Sequence, residues 1–185
     1  MTANYGKPSA RLRAGLKLSP CLIPLGILIL QAIVGCGGMP SDLALRDRFR
    51  ANQSDYDRLI KMSNEDSRVV VVKDNFTYLD TDASWPRKDI GFSEERWSEY
   101  KQLFRKLGIE GGISRRRDLP NAVFVEVYGH GGVLASSSKG YVYSQTPLPQ
   151  LVQSLDLLPR DFGSSGHAIA FASLAKDWYL YREEY

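Results

Sequence analysis

With 185 residues, 24 Lys and Arg against 21 Asp and Glu, and only two Cys, the chain holds material for one ordinary domain, which excludes a large multi-domain machine. Its first 35 residues carry four basic side chains, Lys7, Arg11, Arg13 and Lys17, and no acidic one, so the remainder holds 20 positive and 21 negative charges. A near-neutral body lacks the basic stripe that displaces counterions from phosphates, which argues against a nucleic-acid binder.

Residues 1–17 are polar and basic and run directly into an apolar stretch, residues 18–35, in which Gln31 is the one clearly polar residue between 21 and 34. A basic end followed by an apolar run is the layout of a secretory signal. Pro20 and Pro24 each remove a helix hydrogen bond, so the run makes a poor permanent helix. No second arginine adjoins Arg11 or Arg13, and a twin-arginine route is not suggested. An uncleaved anchor, for which the stretch is borderline in length, and plain secretion are the alternatives, and each also exports the body.

The apolar stretch ends in Ile33-Val34-Gly35-Cys36, which resembles the lipobox of bacterial lipoproteins: aliphatic, small or aliphatic, small, then cysteine. The resemblance implies that residues 1–35 are a signal peptide cut between Gly35 and Cys36, and that the Cys36 thiol and the freed amine become acylated. Two or three acyl chains exceed the single-chain regime of marginal, reversible binding. Gly37-Gly38-Met39-Pro40 then makes residues 36–41 a short tether. Gly37 stands where an aspartate retains a lipoprotein in the inner membrane of enteric-type bacteria, so the resemblance implies an outer-membrane anchor with the body facing the periplasm. Cys21 leaves with the leader and the Cys36 sulfur is taken, which removes disulfides, thiol nucleophiles and cysteine metal sites from the expected body.

The body, residues 42–185, opens with Ser41-Asp42 as a helix start. Leu45, Phe49, Tyr56, Leu59 and Ile60 continue at helical spacing to about Met62. Residues 68–73 and 76–79 predict two short strands, and residues 80–89 a loop. Ser93 caps a second helix that buries Trp97, Tyr100, Leu103, Phe104 and Leu107 and stops at Gly108. Beyond Gly111 the pattern turns to strands. Residues 122–128 alternate, residues 131–136 and 140–144 flank an expected turn at Ser137-Ser138-Lys139-Gly140, residues 147–159 suggest a short helix, and residues 168–174 and 178–181 form a terminal hairpin. The expected fold is a single α+β domain, a mostly antiparallel sheet packed against two amphipathic helices.

No motif assigns a catalytic residue, a metal ligand or a cofactor. His130, within Gly129-His130-Gly131-Gly132, and His167, within Ser164-Ser165-Gly166-His167, are the whole imidazole supply; acid–base work and plain loop chemistry are both open to them. Gly-x-Ser-x-Gly is absent, so the serines at 136–138 and 164–165 carry no nucleophile signature. Glu126 is a carboxylate among apolar neighbours, and a carboxylate pair across a cleft can cut glycosidic bonds, although no spacing here encodes one. Arg115-Arg116-Arg117 is the most conspicuous charge run, a candidate contact for anionic lipid or an acidic partner.

Phe49, Met62 with Glu65-Asp66, the helix from Arg96 to Gly108, Lys139-Gly140-Tyr141-Val142-Tyr143-Ser144 and the Trp178-Tyr179-Leu180-Tyr181 ending together look like small lipoproteins of Gram-negative bacteria. That resemblance implies an envelope location and supplies no activity. The expectation is a non-enzymatic binding or interaction domain, held to a membrane by its lipid and meeting an envelope protein partner. A small envelope hydrolase, and an immunity lipoprotein that neutralises a secreted toxin, remain open beside it.

Overall fold

A computed structural model describes residues 38–79, 82–84, 88–131, 136–159 and 162–185. The expected signal peptide, residues 1–35, and the expected lipidation site Cys36 lie outside the described residues. Gly38–Tyr185 forms one compact unit. In chain order it comprises α1 (Asp42–Ala51), α2 (Gln53–Glu65), β1 (Val69–Val72), β2 (Thr77–Leu79), β3 (Asp82–Ser84), α3 (Glu94–Leu107), β4 (Gly112–Arg115), β5 (Ala122–Gly131), β6 (Ser136–Ser144), β7 (Leu151–Val152), β8 (Ala168–Ala175) and β9 (Trp178–Glu184). The class is α+β, with three helices rather than the expected two.

Ser41 starts α1 by accepting a hydrogen bond from the Ala44 amide at 3.2 Å. The single first helix expected through Met62 is broken at Asn52. Asn52 leaves helical geometry at φ −133°, its Nδ2 donates to the Arg48 carbonyl at 2.9 Å, and its own carbonyl accepts from Asp55 and Tyr56. One residue thereby closes α1 and opens α2, and the Phe49 and Tyr56 rings stack at 5.4 Å. α3 follows expectation: the Ser93 hydroxyl accepts from the Arg96 amide, and Gly108 ends the helix in the left-handed region at φ +62°.

The nine described strands form one sheet in the order β3-β2-β1-β4-β5-β6-β9-β8-β7, antiparallel throughout except for β7 beside β8. Two expectations are corrected here. The segment 80–89, expected as a loop, carries β3 on the edge beside β2, together with a 3₁₀ turn at Lys88–Ile90. The turn expected at residues 137–140 is strand instead. β6 runs unbroken through it while pairing with β5 and β9, and the β5–β6 connection falls at residues 132–135, outside the described residues. The C-terminal hairpin is present as expected, with Asp177 at φ +60° in its turn, and its last strand extends to Glu184.

Strand alternation gives the sheet two unlike faces. Val123, Val125, Tyr141, Trp178 and Leu180 meet Leu45, Phe49, Tyr56 and Leu59 and the α3 aromatics in the main core. Tyr56 and Tyr141 meet edge to face at 4.7 Å, and the Tyr141 hydroxyl donates to the Leu45 carbonyl at 2.9 Å. Each such aromatic burial contributes on the order of 2 kcal/mol. The opposite face carries a smaller cluster, Phe124, Val142, Leu148, Phe171 and Tyr181 with Ala122.

A buried ionic knot sits beneath α1. Lys139, its side chain 1% exposed, reaches from β6 to Asp42 Oδ1 at 2.7 Å and Asp156 Oδ1 at 2.6 Å. Asp42 Oδ2 accepts from the Ser154 hydroxyl and the Leu155 amide, and the Asp42 amide donates to Asp156. Burial raises the Asp42 carboxyl, but Lys139, Ser154 and Leu155 outweigh it and hold the group below its ordinary value. The knot fixes the start of α1 to β6 and to the segment around Asp156.

Candidate functional site

The smaller-cluster face ends in a cleft of about 650 Å³ lined by Glu126, Gly129, His130, Gly131, Ser136, Ser137, Ser138, Glu183 and Tyr185. β5 supplies the first four, β6 the serines, and β9 with the C-terminus the last two.

Glu126 lies over glycines rather than over other side chains. Its cross-strand partners are Gly112 and Gly140. A Cβ added to Gly111 or Gly129 falls 2.1 or 2.2 Å from Glu126 side-chain atoms, so the carboxylate lies in a bed that only glycines leave open. Lys73 Nζ stands 3.9 Å away, and both side chains are about a third exposed, a pairing of little strength. Burial raises the Glu126 carboxyl above its ordinary value; Lys73 opposes this, and Glu183 and Glu110 add to it.

Glu183 is the opposite case. Its side chain is 9% exposed, and its Oε1 accepts from Arg116 Nη1 and from the Tyr185 hydroxyl at 3.1 Å while standing 2.7 Å from His167 Nε2. Arg116 also grips Asp118 through two bonds, at 3.0 and 2.8 Å, and lies 5.0 Å over the Phe124 ring. The His167 ring stacks on Tyr185 at 4.5 Å, and the Tyr185 amide donates to the Ser136 carbonyl. The C-terminus is thus clamped beside Glu126 by a ring of charge-assisted bonds.

The sequence-predicted residues separate accordingly. Glu126 and His130 both line the cleft, and His167 adjoins it through Glu183 and Tyr185. A bulge between Glu126 and Tyr128 pairs Tyr128 with Lys139 rather than Ser138, so Tyr128 and His130, whose rings stack at 6.5 Å, take the face of β5 opposite to Glu126 by register, and His130 reaches the cleft at the strand's end. No serine–imidazole hydrogen bond forms among the described residues, and no group of three metal-ligating side chains occurs among them. The arginine run is not one patch. Arg115 bonds Ser63 and Asn64 at the end of α2, Arg116 bonds Glu183 on the other face, and Arg117 is separately engaged. Glu183 and Tyr185 escaped the sequence reading; the Tyr181-x-Glu183 alternation continuing the last strand was the available signal.

Compared with known proteins, the chain matches no family model, no curated protein and no solved structure.

Proposed function

We propose that the protein is a lipid-anchored component of the bacterial cell envelope, acylated at Cys36, whose folded body is a binding domain using the Glu126 cleft. The observation supporting the binding role is the Glu126 carboxylate, cradled in glycines beside a saturated Glu183, in a cleft whose lining includes three serines, a tyrosine and a histidine and, among the described residues, no lysine or arginine. Such a lining complements a ligand or partner segment that presents an ammonium group among hydroxyls. A partly desolvated carboxylate whose one ion pair is the loose 3.9 Å contact with Lys73 still gains from a cation delivered by a ligand.

Two experiments test the two halves of the proposal. Radiolabelled palmitate enters the parent chain and not Cys36→Ala, and the variant leaves the membrane fraction; an unlabelled parent, or a variant still membrane-bound, contradicts the anchor. Isothermal titration of the full-length chain in non-ionic detergent shows saturable binding of a glucosamine tetramer, with its N-acetylated counterpart at least about tenfold weaker. Equal binding of the two sugars contradicts the ammonium preference. Release of reducing ends from either sugar, abolished by Glu126→Gln, instead supports the hydrolase.

A further inference from the structure

Arg115 stands in a second cleft, of about 420 Å³, which shares no lining residue with the first: Asn64, Pro120, Asn121, Val123, Tyr143, Gln145 and Thr146 surround it. Strand register explains the position. Arg115 pairs with Val123, Val123 with Tyr143, and Tyr143 with Trp178, a row crossing the helix-covered face. At the end of that row α2 stops, and the guanidinium fills the gap.

Arg115 Nη2 donates to the Ser63 carbonyl at 3.1 Å, the Ser63 hydroxyl at 3.2 Å and Asn64 Oδ1 at 2.7 Å. All three acceptors are neutral. Nε is buried with no partner among the described residues, and all three of these bonds come from Nη2. Burial lowers the Arg115 guanidinium below its ordinary value, opposed only by Tyr100. Arg96 and Arg116, in contrast, each hold two or more carboxylates. The C-terminal dipole of α2 offers Arg115 a partial charge, which leaves net positive charge unbalanced in a cleft where, among the described residues, the Tyr143 phenol is the one other ionisable lining group.

We propose that this cleft binds a small carboxylate-bearing ligand, with Arg115 as its counter-ion and the Asn121 and Gln145 amides flanking it. One guanidinium balances one negative charge, and side-chain amides both donate and accept, which suits a carboxylate on a peptide-like body better than a dianionic phosphate. Val123 and Tyr143 supply the apolar wall. The inference goes beyond the function proposed above and stands or falls separately from it.

Titration of the full-length chain in detergent with N-acetyl-alanyl-alanine, its C-terminal amide, and inorganic phosphate tests this. The acid binds saturably; the amide and phosphate bind at least about tenfold more weakly; Arg115→Gln removes acid binding. Because Arg115 also ties down α2, Asn121→Asp supplies a second check: its new carboxylate provides the counter-ion internally and blocks the acid while the melting temperature holds. No saturable acid binding, equal binding of acid and amide, or full acid binding by Asn121→Asp overturns the proposal. Phosphate binding tighter than the acid overturns the carboxylate assignment.

Discussion

The two faces of the sheet treat charge in parallel ways. Beneath the helices, Lys139, Asp42 and Asp156 close on one another, while Arg115, two strands away on β4, meets only neutral acceptors among the described residues. On the other face Arg116, Glu183, His167 and Asp118 close on one another, while Glu126 has, among the described residues, one loose ion-pair partner at 3.9 Å. Each face therefore has a saturated knot and an underpaired charge. A saturated buried knot is costly to break because the remaining charge cannot be rehydrated. An underpaired charge at a cleft already carries its desolvation cost, and neutralising it takes little from the fold. The knots serve the fold, and the two binding proposals rest on the underpaired charges.

The comparison breaks most visibly at Lys139. Lys139→Ala strands Asp42 beneath α1 and lowers unfolding free energy by about 3 kcal/mol, measured by urea denaturation of the full-length chain. Asp42→Asn examines the same knot through pH. The native Asp42 carboxyl is held below its unfolded value, so its stabilisation is present above the ordinary carboxylate range and is lost as pH falls through the lowered native value. The gap between parent and Asp42→Asn is therefore full at neutral pH and closes on acidification.

Arg116→Ala comes next, at about 2 kcal/mol, because Glu183 keeps His167 and Tyr185 but loses its cation. Gly129→Ala is milder, within about 1 kcal/mol: the added methyl meets the mobile end of Glu126 and displaces it, so glucosamine tetramer binding weakens more than stability does. Glu126→Gln has the smallest effect on the fold, and in the opposite direction. The native carboxyl lies above its unfolded value, so whatever stability its protonation lends is complete below the unfolded value and is lost as pH rises through the native one. The glutamine variant melts slightly higher than the parent at neutral pH, and the difference disappears in acid. A melting temperature several degrees below the parent would place Glu126 among the structural charges.

Local features of the fold were legible because their causes are local. Ser41 and Ser93 mark helix starts, Gly108 marks a stop through its left-handed backbone, and the α3 apolar spacing names its buried face. Features with distant causes were hidden. Asn52 breaks the first helix where the 3–4 spacing of Phe49 and Tyr56 runs on without interruption. Lys139 resembled a turn residue between Ser138 and Gly140, because only its partners at Asp42 and Asp156 make it a core residue. The extra strand β3 rests on edge pairing with β2, which composition at residues 80–89 does not announce. Arg115 and Arg116 illustrate the same limit within the candidate sites: adjacency suggested one patch, and alternation near the end of β4 sends them to opposite faces. Glu126 was recognisable as a carboxylate among apolar neighbours, but its glycine bed joins Gly129 of its own strand to Gly111, which reaches it only across the β4–β5 pairing.

The central claim, that Glu126 is kept underpaired to meet a ligand, is tested most directly by titrating parent and Glu126→Gln with the glucosamine tetramer at neutral pH while recording both melting temperatures. The account predicts at least about tenfold weaker binding by a variant that melts no lower than the parent. Undiminished binding by Glu126→Gln would contradict it.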